Sequence, residues 1–257
     1  MEFFTVLLSG LLAGIGPTGL ILDQVMESQL HNRLPGSESI TVRIDNRPNH
    51  QVLQGKVDRI RLASHGLQLT SYLRLHTLEL ETDPVSVDLA ALRRGGNPRA
   101  SLREPLNAAA RLVIHEDDLN ATLAAPEFQE RLQAVVARVG ARLSPGEQYE
   151  LADLAVNFTA TGRVEITATV KSSQETIVVA LAGALAVEEG HQIALVEPAL
   201  TLNGNRLPPF VEAIALENLQ RPFDLTSLER QGLLVRILQL NVESEQLAIV
   251  GFVRLTP

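Results

Sequence analysis

Residues 163–187 read RVEITATVKSSQETIVVALAGALAV. The first half alternates: Val164, Ile166, Ala168 and Val170 fall on one side, Glu165, Thr167 and Thr169 on the other. That is the period of a half-buried strand. SSQE makes a turn. The second half is also a strand, but its two faces are both apolar. Ile177, Val179, Leu181, Leu185 and Val187 share one face; Val178, Ala180, Ala182, Ala184 and Ala186 share the other. A strand apolar on both faces is covered on both. Its alanine side lets a helix or a ligand lie close.

Working outward, strands are predicted at 151–160 and 192–202 on either side, and a closing hairpin at 232–242 and 246–255. Upstream, the pattern gives strands at 40–46, 53–64, 72–82, 84–90 and 109–115. Residues 115–140 form a helix that Pro126 restarts. Its apolar stripe is Phe128, Leu132, Val135, Val136 and Val139, and acids fill its first turn, where the helix dipole favours them. A second amphipathic helix is predicted at 208–219. Long, sequentially adjacent strands with short turns imply an antiparallel sheet and an α+β fold. The expected organisation is an apolar leader over 1–36 and one domain over 37–257.

Phe3 to Leu22 carries no charge in 20 positions, enough to span a bilayer core as a helix of roughly 30 Å. No Lys or Arg precedes it and no A-x-A-like site follows, so it does not read as a cleaved secretory signal. An uncleaved signal-anchor, a segment lying on the membrane and an apolar helix folded into the core all fit.

The composition narrows the function. The chain has 257 residues, a net charge of -8, no Cys and no Trp. The charge opposes general nucleic-acid binding. The missing thiols exclude disulfides, thiolate metal sites and cysteine nucleophiles. The six His have no metal-ligand spacing on a helix, and no nucleophile elbow, phosphate loop or dinucleotide fingerprint is present. Asn120-Ala-Thr122 and Asn157-Phe-Thr159 match the glycosylation triplet, but inside predicted regular elements. No catalytic group, metal site or cofactor is expected. What stands out is apolar surface beyond what sheet burial needs, beside arginine-rich segments: 20 of the 22 cations are Arg.

Two stretches carry a family resemblance. In 53–92, Gly55, Ile60, Leu62, Gly66, Leu67, Val85, Val87, Asp88 and Leu89 resemble the strand pattern of the LmeA-like phospholipid-binding family. In 112–128, Glu116, Asp118, Leu119, Asn120, Leu123 and Pro126 resemble that family's helix start, with His115 where a Thr or Ser is usual. The closing hairpin is similar too. The resemblance implies a tubular lipid-binding fold, a long curved antiparallel sheet wrapped around a helix, in a non-enzymatic bacterial envelope protein that binds phospholipid.

On that reading, the change of apolar phase between Val57 and Ile60 is expected to be a bulge or sharp twist in a curved strand near Asp58. The candidate acyl-chain lining is Leu132, Val135 and Val136 facing Val178, Ala180, Ala182 and Ala184; the alternative is that these groups pack on each other as core. Candidate headgroup or membrane contacts are Arg59 and Arg61 on a strand and Arg93, Arg94, Arg99 and Arg103 in a loop. The alternative makes them solvated cations, some paired with Asp58, Glu79 or Glu81. The expected function is a lipid-binding or lipid-transfer protein on the periplasmic side of the cell envelope, tethered through residues 3–22. A membrane-tethered interaction module with a filled core is the rival.

Overall fold

The structure is a computed structural model. It describes residues 37–69, 72–93, 98–143, 147–207 and 224–257. The leader helix, the helix expected at 208–219 and Arg94 lie outside these residues. Among the described residues, no helix is long and apolar enough to cross a membrane. Mostly antiparallel sheet is what the alternating pattern called for, and residue contacts divide the chain into two compact units.

The first unit holds the described residues up to Val113, with Leu225–Gln239 and Ile249–Pro257. Its strands are β1 (Ser39–Asp45), β2 (Lys56–Val57), β3 (Arg59–Gln68), β4 (Arg74–Thr82), β5 (Val85–Ser86) and β6 (Leu106–His115). The closing hairpin, β12 (Leu233–Glu243) and β13 (Gln246–Leu255), runs through both units. The large sheet has the order β1-β3-β4-β6-β13-β12. Helix α1 (Leu89–Arg93) and two 3-10 turns, Asn49–Gln54 and Pro98–Ser101, fill the connections.

The phase change near Asp58 has a different cause from the expected bulge or twist within one curved strand. The 53–64 stretch is two strands in two sheets: β2 pairs with β5, whereas β3 joins the large sheet between β1 and β4. Asn46, nearly buried, fixes the break. Its side-chain oxygen accepts the Asp58 N–H at 3.1 Å, while the Asp58 carboxylate accepts the Arg47 N–H at 2.7 Å. Thr82 Oγ1 then accepts the Ile60 N–H at 3.0 Å. Beyond the break, Ile60 and Leu62 are buried and Arg59 and Arg61 face out, as the alternation requires. A second phase change falls at Gly66, which has φ +60°, so that Leu67 turns inward.

The predicted strand 84–90 shortens to β5, because Asp88 caps α1 and ends the extended run. Its Oδ1 accepts the N–H groups of Ala90 and Ala91 at 2.8 and 3.1 Å. Gly55 lies against the same segment with φ +78°. A Cβ there would stand 2.1 Å from the Val87 carbonyl oxygen.

The second unit holds Ile114–Asp224 and Leu240–Ala248. It contains α2 (Glu116–Leu123), α3 (Pro126–Leu143) and a five-stranded sheet of β7 (Glu150–Phe158), β8 (Arg163–Lys171), β9 (Thr176–Glu188), β10 (Gln192–Leu202) and β11 (Asn205–Arg206), in the order β11-β10-β9-β8-β7. A four-residue helix, α4 (Thr226–Glu229), precedes the hairpin in the first unit.

Candidate functional site

The antiparallel registers of the five-stranded sheet sort its side chains into two faces. Ile166 pairs with Leu181 and Val156, Ala168 with Val179 and Leu154, and Val170 with Ile177. Leu181 pairs onward with Leu200. Leu195 lies over Gly183, where a Cβ would come within 2.6 Å of it. Large aliphatic groups therefore make up one continuous face. The opposite face carries Glu165, Thr167 and Thr169 beside Ala180 and Ala182, with Ala199 and Thr201 on β10.

The aliphatic face is covered over part of its extent. Leu123, Val156, Phe158 and Val164 form a buried cluster. Leu119 and Phe128 from the helices, Ile166 and Leu185 from the sheet, and Val242 and Leu247 from the hairpin tip pack against it. Beyond that cluster, Ala168, Val170, Ile177, Val179, Leu181, Val187 and Leu195 are each only half-buried. From Val164 to Val170 the strand runs about 20 Å at 3.3–3.4 Å per residue. Such a surface needs only apolar bulk from a ligand, at roughly 0.8 kcal/mol per methylene removed from water.

The helix start holds the sheet edge. β7 is an outer strand, and its free backbone groups would otherwise be open to another chain. Asn120 answers both groups of Val156: its Nδ2 donates to the carbonyl at 2.9 Å and its Oδ1 accepts the N–H at 2.8 Å. One turn earlier, the Glu116 carboxylate accepts the Phe158 N–H at 2.6 Å. On α3, Gln133 donates to the Tyr149 carbonyl at 2.8 Å and accepts the Leu151 N–H at 2.7 Å. The side chains of one helical face thus take the place of a neighbouring strand. Leu119 and Leu123, one turn apart, carry the apolar side of α2 into the cluster.

The predicted lining is divided by this arrangement. Val178, Ala180, Ala182 and Ala184 share a face, but it is the small, partly polar one. Helix α3 packs against β7, two strands away from β9 in the sheet order, and its Phe128 joins the aliphatic face. Leu132 and Val136 follow Phe128 at four-residue steps and are half-buried; Val135 is 51% exposed. The two halves of the set do not come together. The Ile177–Val187 stripe, on the opposite face of the same strand, carries the larger apolar groups.

The arginines fall into place one by one. On the outer face of the large sheet, Arg59 meets Glu81 at 3.0 Å, and Arg61 meets Asp45 at 2.7 Å and Glu81 at 3.4 Å. Arg43 shares Asp45 at 3.1 Å, and Arg111 meets Glu79 at 3.4 Å. A hollow of about 860 Å³ opens on this face, lined by three arginines and four carboxylates. Arg43, Arg59, Arg61 and Arg111 are already paired with carboxylates, so an incoming phosphate competes with acids already in place. Arg99 is an internal clamp: it donates to the Thr256 and Gln231 carbonyls, each at 2.5 Å. Arg103 is exposed and reaches the Gln54 carbonyl at 3.5 Å. Arg93 ends α1.

A further hollow of about 960 Å³ lies in the second unit, where Gln133, Tyr149, Glu150 and Lys171 contribute polar lining. Among the described residues, no group of three or more His, Cys, Asp or Glu is placed to hold a metal ion.

Comparison with known proteins gives one family. A model described as LmeA-like phospholipid-binding matches residues 13–252. Neither the curated proteins nor the solved structures give a match.

Proposed function

Because the chain belongs to the LmeA-like phospholipid-binding family, we propose that it holds phospholipid with the acyl chains laid along the half-buried aliphatic face of β8, β9 and β10. The observation that carries this reading is that face: a run of Ile, Val and Leu side chains left partly open beside a closed cluster in the same unit. An acyl chain of about 14 to 16 carbons covering it would gain on the order of 10 kcal/mol before ordering costs. No polar constellation is needed for that gain. The protein acts by binding alone, without catalysis, and serves in the bacterial cell envelope, where the uncharged 3–22 segment tethers it to a membrane and lipid is held or passed on.

Lipid mass spectrometry on gently purified full-length protein tests this. Phospholipid is expected to co-purify in a fixed molar ratio. Leu181→Gln, on the aliphatic face, should cut the ratio several-fold, while Ala182→Gln, one residue away on the opposite face, should leave it unchanged. Equal lipid in both variants, or none in the parent, refutes the assignment, and the absence of lipid favours an interaction module with a filled core.

A further inference from the structure

In the second unit, the aliphatic face is closed at one end and open at the other. Phe158 and Val164, at the turn from β7 to β8, are register partners within the buried cluster. At the far end of β8, Val170 is only half-buried, and its register partner is Leu151 of β7. Leu151 lines the hollow of about 960 Å³, so the apolar run ends where that hollow begins. The hollow has polar walls. Glu130 comes from α3, Glu147 from just before β7, Glu150 from the start of β7 and Lys171 from the end of β8. The charged lining is therefore three carboxylates and one ammonium. Glu150 and Lys171 stand opposite each other in register, yet no ion pair joins them among the described residues. Glu147 accepts the Tyr149 hydroxyl at 2.9 Å and keeps its charge.

We propose that this hollow takes the polar head of the bound phospholipid, and that the head is zwitterionic, of the phosphoethanolamine class. Its phosphate meets the Lys171 ammonium, and its own ammonium lies among Glu130, Glu147 and Glu150. Charge-assisted hydrogen bonds of both signs suit that pairing. A head with a net negative charge, such as phosphoglycerol, reaches the same lysine but sets nothing against the excess of acids, which repels it. The tails then run along β8 toward the closed cluster at Val164. The inference rests on the lipid-binding reading and gives the lipid a direction and a class of head.

Full-length protein is incubated with vesicles holding equal amounts of phosphatidylethanolamine and phosphatidylglycerol with the same acyl chains. It is then re-isolated, and its lipid is counted by mass spectrometry. The ethanolamine lipid is expected in several-fold excess. Glu130→Gln and Glu150→Gln should each shift the ratio toward the glycerol lipid by about two- to fivefold, the range for exposed ion pairs of about 0.4–1 kcal/mol. Lys171→Gln should lower capture of both lipids alike, because both carry the phosphate. Leu181→Gln should lower total capture and leave the ratio as in the parent. The ratio is read within one sample, so partial misfolding does not mimic a shift. Equal capture of the two lipids, an excess of the glycerol lipid, an unchanged ratio in both glutamate variants, or a loss confined to one lipid in Lys171→Gln overturns the head assignment. In each of those cases lipid is still captured, and the aliphatic face stands. Capture of neither lipid refutes both readings together.

Discussion

Truncating Asn120 to alanine isolates the bond that joins α2 to the sheet. The side chain makes two hydrogen bonds to Val156, at 2.9 and 2.8 Å, and Val156 is 6% exposed on the outer strand β7. A protein hydrogen bond contributes about 1 kcal/mol net, but leaving a buried partner unsatisfied costs about 1–3 kcal/mol. Two groups are stranded at once, and water can reach the strand edge in part, so the expected loss is about 2–4 kcal/mol. In a chain of this size that lowers the melting midpoint by roughly 5–15 °C. Far-UV circular dichroism during urea and thermal unfolding measures it. Asn157→Ala, at an exposed position one residue along the same strand, should stay within about 0.5 kcal/mol. Asn120→Asp keeps the acceptor for the Val156 N–H but sets a carboxylate against the Val156 carbonyl, and should be at least as damaging as alanine near neutral pH. If Asn120→Ala unfolds with Asn157→Ala, the sheet edge is not held by these bonds and the structural account of the helix start is wrong.

Three further outcomes follow from local geometry. Gly55→Ala should destabilise by about 2 kcal/mol or more in urea unfolding, because it combines a left-handed backbone with a methyl group 2.1 Å from the Val87 oxygen. His115→Thr should stabilise by about 1 kcal/mol, since His115 stands at the N-cap of α2 and makes no side-chain capping bond there. Arg61→Gln should cost no more than about 1 kcal/mol, with the difference shrinking in high salt, because the ion pairs of Arg61 lie on a solvated face.

Much of the strand pattern could be read from the residues alone. β8 and β9 carry apolar stripes of period two, β10 does so on either side of a register shift between Val196 and Ala199, and the predicted ranges 163–171, 176–187 and 192–202 meet the observed ones closely. The break at Asp58 was visible as a change of phase. Its cause was not, because Asn46 and Asp58 act across 12 residues through single polar bonds that leave no period in the sequence. The stretch 84–90 looked extended because Val85 and Val87 alternate; the cap formed by Asp88 overrides that pattern. At the candidate site, the faces of β9 were legible, but which one met the helices was not. That depends on α3 lying against β7, and the signals for it are Glu116, Asn120 and Gln133, which look like ordinary solvent-facing residues of amphipathic helices. Their acceptors and donors lie on another strand's backbone, 36 and 42 residues away for Asn120 and Glu116, and periodicity does not register such partners.

The residues that resemble the family and the aliphatic face proposed to hold lipid are largely different residues. Gly55, Asp88, Glu116 and Asn120 serve backbone geometry: a close approach, a cap and a sealed strand edge. Val179, Leu181 and Leu195 carry no such duty. Exchanges among Leu, Met, Ile and Phe there should retune which tail lengths fit while the scaffold keeps its shape. A library randomised at those three positions and sorted on captured lipid would therefore explore selectivity with few members lost to misfolding.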